Sequence, residues 1–161
     1  MSASTPAVAA LELAGIDFTV HSYPHDRRST DYGAEAVEAM AAHGFVADQI
    51  FKTLVVDLGG SLGVAVVPVP EKLSLKAVAR ALGASKAVMA DAAKAARATG
   101  YVLGGVSPVG QKATLPTVVD ETIDLWDSIL CSAGRRGLEI EVSPADLVSA
   151  TGAVVADIAA G

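Results

Sequence analysis

Ile50-Phe-Lys-Thr-Leu-Val-Val-Asp-Leu58, followed by Gly59-Gly60-Ser61 and then Leu62-Gly-Val-Ala-Val-Val-Pro-Val69, narrows the architecture more than any other part of the chain. Two runs rich in β-branched residues, each long enough for a strand, meet at a glycine-rich turn, and that pattern reads as a β-hairpin. A hairpin is antiparallel, so the sheet that holds it is not the all-parallel sheet of a doubly wound fold. Period two places Lys52 on the same face as Leu54 and Val56. A lone lysine there either snorkels from an edge or stands at the mouth of a cavity. In a cavity, a desolvated ammonium can hold a carbonyl or phosphate oxygen as negative charge develops.

Working outward, Thr5-Pro6 has the form of a helix start, with Val8, Leu11 and Ala14 at helical spacing and Gly15 as the stop. Asp17 to Tyr23 reads as a strand with Phe18, Val20 and Ser22 on one face, and Asp31 to His43 as an alanine-rich helix. Ser74 caps a helix that runs through Leu75, Val78 and Leu82 to Gly83, and Asp91 caps another that ends near Gly100. Thr117–Val119, Ile129–Ser132 and Leu138–Val142 read as short strands, Ser143-Pro144 opens a last helix closed by Gly152, and Val154–Ile158 adds a strand. Strands and helices alternate without a linker or repeat. One domain over residues 1–161 is expected, of α+β type, with a mixed, barrel-like sheet surrounded by helices.

Hydrophobic residues make up 52% of the 161, enough to bury a core, and aromatics only 4%, so that core is built of Ala, Val, Leu and Ile. Cys131 is the one cysteine, which excludes an internal disulfide and fits a reducing cytoplasm. No signal-peptide pattern and no uncharged apolar run of membrane-spanning length is present, so no membrane association is expected. The net charge of −6 argues against a nucleic-acid partner, but its distribution argues the other way. From Lys72 to Lys112 seven basic residues face a single acid, Asp91, for a local charge of +6, while the remainder carries −12. Lys72, Lys76 and Arg80 recur every four residues along one side of a helix region. Such a stripe is either an electrostatic footprint for an anionic partner or a solvated face.

Thr99-Gly-Tyr-Val-Leu-Gly-Gly-Val-Ser-Pro-Val-Gly-Gln-Lys112 concentrates four glycines between two apolar regions. It is either a loop whose backbone walls a ligand site or a tight connection. Gly105 to Lys112 is a near miss to a phosphate-binding P-loop, with the lysine one position late, and is rejected as one. It is also not a nucleophile elbow, because the second glycine is misplaced. His21 and His25 stand four apart, but Pro24 breaks the helix a metal pair would need, so no metal and no cofactor is expected. Tyr23 ends a strand, where a phenol either reaches a cleft or lines a rim. Ser132-Ala-Gly134-Arg135-Arg136-Gly137 reads as a strand-to-strand turn whose arginines are either solvated or meet phosphate. No Ser/His/Asp or Cys/His set stands out, so a hydrolytic enzyme on this chain lacks an obvious protein nucleophile.

Together these segments resemble the YbaK/EbsC family of free-standing editing proteins, and within it the branch that deacylates Cys-tRNA(Pro). The resemblance rests on Thr5–Phe18 (T-P-A-V-x-x-L-x-x-x-x-I-x-F), His21–Asp26 (H-x-Y-x-H-D), Phe51–Leu54 (F-K-T-L) and Leu75–Ala84 (L-K-x-V-A-x-A-L-G-A). It continues through Thr99–Lys112 and Ser132–Glu141 (S-x-G-x-R-G-L-x-I-E), and so covers nearly the whole chain. It implies Lys52 as the central catalytic residue near the 3′ end of the tRNA. It implies an aminoacyl pocket lined by Tyr23, Gly100, Tyr101, Gly104, Gly105, Ser107, Ser132, Gly134 and Glu139. Family members often carry Asp where this chain has Glu139, and the segment from Asp26 to Asp48 is longer here. Lys72, Lys76, Arg80, Arg135 and Arg136 are the expected tRNA contacts. The implied chemistry is self-attack by the thiol of the bound cysteine, and the implied partners are the aminoacyl end of tRNA(Pro) and prolyl-tRNA synthetase. Deacylation of Ala-tRNA(Pro) or another small aminoacyl-tRNA, and a non-catalytic tRNA- or synthetase-binding module, are the alternatives.

Overall fold

Each α-helix among the described residues begins where a short polar side chain can take up a free backbone N–H, as a helix start favours. Thr5, Asp31, Ser74, Asp91 and Ser143 each accept from the N–H three residues on, at 3.1–3.2 Å. In the computed structural model, which describes residues 4–26, 28 and 31–160, these caps open α1 (Pro6–Leu13), α2 (Tyr32–Ala41), α3 (Leu75–Ala81), α4 (Ala92–Thr99) and α5 (Pro144–Thr151). Arg27, Ser29 and Thr30 of the long Asp26–Asp48 segment lie outside the described residues.

The strands are β1 (Thr19–Ser22), β2 (Phe51–Asp57), β3 (Leu62–Pro68), β4 (Val88–Met89), β5 (Thr117–Asp120), β6 (Ile129–Arg135), β7 (Leu138–Val142) and β8 (Val154–Ala156). The expected hairpin is β2–β3, antiparallel from Phe51↔Pro68 to Asp57↔Leu62. It sits inside a five-stranded mixed sheet ordered β4-β2-β3-β5-β8, in which β3–β5 and β5–β8 are parallel. A second, antiparallel sheet is ordered β1-β7-β6. The mixed α+β architecture is the one expected, divided into two sheets rather than closed as a barrel. β4 was not legible beforehand, because two exposed residues carry no periodicity. Short 3-10 turns at Ala47–Gln49 and Glu121–Leu125 were likewise not foreseen.

The two sheets meet at a parallel bridge between Ile50 and Leu130. One core fills the space between the sheets and α1, built from residues such as Leu11, Phe51, Val66, Val119, Ile129 and Ile140. A second packs α3 on the outer face of the five-stranded sheet through Val56, Val67, Val78 and Ile158. A third lays α2 across the seam, where Ala36 and Met40 cover Ile50 and Leu130. Lys52 follows Ile50 by two residues, so β2 carries it straight out of this seam.

Candidate active site

Register places the polar residues of the smaller sheet side by side. His21 and Ser132 are both paired with Glu139 across β7, and directly paired residues of an antiparallel sheet share a face. That face looks toward the seam, and there a cleft of about 210 Å³ opens. Tyr23, Lys52, Thr53, Ser132 and Glu139 supply its polar wall, and Ile50, Phe51, Val69 and Val106 much of its apolar lining. α2 closes one side through Tyr32, Gly33 and Ala36, with Gly33 so close to Val69 that a Cβ would stand 2.9 Å from Val69 Cγ1.

The charges in this cleft are shaped by burial. Burial alone raises the pKa of Glu139 to about 8, so its carboxyl is mostly protonated at neutral pH. Burial lowers the pKa of the Lys52 ammonium, while the carboxylates of Asp31 and Glu71 act to raise it. The Tyr23 phenol is pushed well above its ordinary value by burial, then by Glu139 and Glu35. The wall therefore offers a cation, a neutral phenol and a neutral carboxyl, three groups able to donate to an oxygen that gains negative charge. A nucleophile with a base beside it is not found among these described lining residues. Ser132 stands opposite Glu139, but its Oγ accepts the Gly134 N–H at 3.1 Å, and with a pKa of about 8 the Glu139 carboxyl is mostly protonated at pH 7, when it donates rather than accepts a proton. Cys131 points to the other face of β6, into the core, where burial and then Glu139 raise its thiol pKa well above the usual value.

Of the pocket residues expected from sequence, the cleft wall brings together Tyr23, Lys52, Gly104, Ser132 and Glu139. The others take up places around it. Gly100 is the left-handed cap of α4. Tyr101 is buried and donates through its hydroxyl to Val109 O at 2.6 Å. Ser107 is buried, with its Oγ accepting from Val109 N–H and its carbonyl taking a hydrogen bond from Gln111. Gly134 occupies the irregular part of β6, where a Cβ would meet the Tyr101 ring at 2.7 Å. Gly105 backs onto the Arg135 main chain. The glycine-rich stretch is thus a folded strap that reaches the cleft through Leu103, Gly104 and Val106.

The expected tRNA contacts divide. Lys72, Lys76 and Arg80 are exposed along α3 and the segment before it. Arg135 is exposed at the β6–β7 turn, whereas Arg136 is engaged within the chain. Its Nε and Nη2 donate to Leu103 O at 3.0 and 2.8 Å, and its guanidinium lies 4.3 Å from the centre of the Tyr32 ring. Tyr32, Gly33 and Thr53 are lining residues that sequence reading missed. Tyr32 stands at the first position of a capped helix beside a conspicuous alanine-rich run, and nothing local says that its ring turns inward. His21 bonds Glu141 at 3.0 Å and His25 bonds Glu35 at 2.5 Å, so each histidine has its own carboxylate partner. Among the described residues no three His, Cys, Asp or Glu side chains gather as a metal site, and no helix is long and apolar enough to cross a membrane.

Residues 31–150 match the family described as Aminoacyl-tRNA editing domain. The chain is 36% identical over 139 residues to EbsC of Enterococcus faecalis, a candidate Cys-tRNA(Pro)/Cys-tRNA(Cys) deacylase, covering 85% of this chain and 80% of that one. It is 32% identical over 120 residues to a proline–tRNA ligase of Shouchella clausii, covering 74% of this chain but only 21% of the ligase. The fold matches the crystal structure of a candidate trans-editing enzyme for prolyl-tRNA synthetase with a TM-score of 0.85 and 29% identity, over 99% of this chain and all of the other.

Proposed function

Since this chain belongs to the aminoacyl-tRNA editing domain family and is a deacylase of that kind, we propose that it frees tRNA(Pro) from mischarged cysteine, acting in trans. The observation that carries the reading is the composition of the cleft. It is a small, largely apolar slot lined by Lys52 and a mostly protonated Glu139, and its own hydroxyl and nearby thiol are not paired with a base. Such a site positions an ester and stabilises an oxyanion without supplying the nucleophile. The thiol of the bound cysteine then attacks its own ester carbonyl. A carbon–sulfur bond forms, the carbon–oxygen bond to ribose breaks, and the thiol proton ends on the ribose hydroxyl. The products are a cysteine thiolactone and free tRNA, and water opens the thiolactone afterwards. Lys52 and the Tyr23 phenol face the oxygen that becomes negative.

The sequence likeness to part of a proline–tRNA ligase supports prolyl-tRNA synthetase as the partner that delivers the correct tRNA. A chain of net charge −6 gains from such help. The test is deacylation of Cys-, Ser- and Ala-tRNA(Pro), with and without the synthetase, with chemical trapping of the thiolactone. Cys-tRNA(Pro) is cleared fastest, the thiolactone is trapped, and Lys52→Ala lowers the rate by about 100-fold or more while the protein stays folded. Equal turnover of Ala- or Ser-tRNA(Pro), with no thiolactone trapped from Cys-tRNA(Pro), makes water the nucleophile and removes the proposal.

A further inference from the structure

Val102 and Leu103 form the tip of the strap, and both are largely exposed, at 65% and 63%. Leu103 also lines the cleft, so its exposed side chain stands at the mouth, with exposed Val102 next to it in the strap. Their backbone is pinned. Leu103 O takes two hydrogen bonds from Arg136, Gly105 N–H donates to Val102 O at 2.9 Å, and Arg136 is itself stacked on Tyr32. Gly104, with φ +86°, is wedged between them, and a Cβ there would stand 2.7 Å from both Arg136 Nε and Tyr32 Cδ2. Three segments distant in sequence therefore converge to hold one exposed apolar ledge in a fixed place. A ledge held in advance makes contacts at low entropic cost, which is how a binding surface differs from a loose loop.

An aminoacyl ester with its amino acid in the cleft must carry its ribose and base just outside, at that mouth. We propose that the Val102–Leu103 ledge seats the terminal nucleobase of the substrate and that Arg136 is the positioning residue that holds the ledge. The inference rests on the editing reading and adds to it a base-binding subsite. It also gives Arg136 a role through geometry rather than through phosphate charge.

The test is a binding cycle with amide-linked, non-hydrolysable cysteinyl minihelix RNAs. One ends in the natural terminal base and the other in an abasic residue. Wild-type protein loses about tenfold in affinity when the base is removed, the scale of a single base contact. Val102→Ser/Leu103→Ser loses a similar factor with the base present, and removing the base then adds little, because paired partners are non-additive. Arg136→Lys keeps the charge but not the two-donor, stacked geometry. It shows the same base-dependent loss with an unchanged salt slope. Additive losses, or a wild-type protein indifferent to the base, overturn the ledge and leave the editing reading standing. A wild-type protein that binds neither RNA overturns both.

Discussion

Asp120 and Glu139 are both buried acidic side chains, and their surroundings give them different work. Asp120 Oδ1 accepts from the N–H groups of Ile158 and Ala159, and Oδ2 from the N–H and hydroxyl of Thr122, so it ties the C-terminal segment to β5. Glu139 faces the cleft, and burial alone acts on its pKa, raising it to about 8. A group with a folded pKa above its unfolded value stabilises the protein below the unfolded pKa, and that contribution fades as pH rises through the folded one. Wild-type stability should therefore fall between about pH 4.5 and 8, by on the order of a few kcal/mol. Glu139→Gln, fixed in the neutral form, should lose that slope and be the more stable protein at pH 9. If the neutral carboxyl is the working form, the wild-type kcat/KM also declines above about pH 8, and the variant lacks that alkaline limb. Melting curves and rate profiles at matched ionic strength measure both, and parallel slopes in the two proteins would count against this assignment.

At the scale of elements, the strap and the β6–β7 turn behave as one unit. The sequence suggests glycines that let backbone come close to a ligand, and at Gly105 the close neighbour is instead the chain itself. A Cβ there would stand 3.0 Å from Arg135 Cα and 3.2 Å from Arg136 N, backbone atoms that cannot swing away. Gly105→Ala should cost about 1–3 kcal/mol of stability, the usual toll of overpacking. It should lower activity as well, since displacing the turn displaces the Arg136 clasp. Gly152→Ala serves as a comparison, because its φ of +64° strains a side chain but a Cβ meets nothing within 4 Å. Thermal melts and deacylation rates of the two variants check this. A Gly105→Ala protein with unchanged melting temperature and rate would show that the strap and turn move independently.

Across the whole molecule, the basic stripe lies away from the cleft. Lys76, Arg80 and Lys86, with Ala79, Ala84, Ser85 and Ala87, surround a second, wider depression of about 470 Å³. β4, just beyond Ala87, pairs with the Asp57 end of β2, five residues from Lys52 along the strand. At strand rise that is roughly 17 Å, out of reach of an amino acid but not of an RNA chain whose end lies in the cleft. Reversing Lys76 and Arg80 to Glu together should weaken tRNA binding and flatten its dependence on salt, because fewer counterions are released from phosphate. Binding measured between low and moderate salt decides it, and an unchanged slope assigns α3 to solvent.

Local chemistry was enough for the parts that depend on neighbours in the chain. The capping residues set the helix starts, β-branching and the Gly59–Ser61 turn set the hairpin, and period two put Lys52 on the face of Leu54 and Val56. Motif likeness brought Tyr23, Gly104, Ser132 and Glu139 forward as lining residues, and the cleft contains them. Tertiary structure alone decided where the two sheets meet, because the Ile50–Leu130 bridge joins residues 80 apart in sequence. It alone turned Tyr32 inward, engaged Arg136 with a carbonyl on another loop, and buried Glu139 deeply enough to raise its pKa. Each of these depends on through-space packing and desolvation, which no window of sequence encodes.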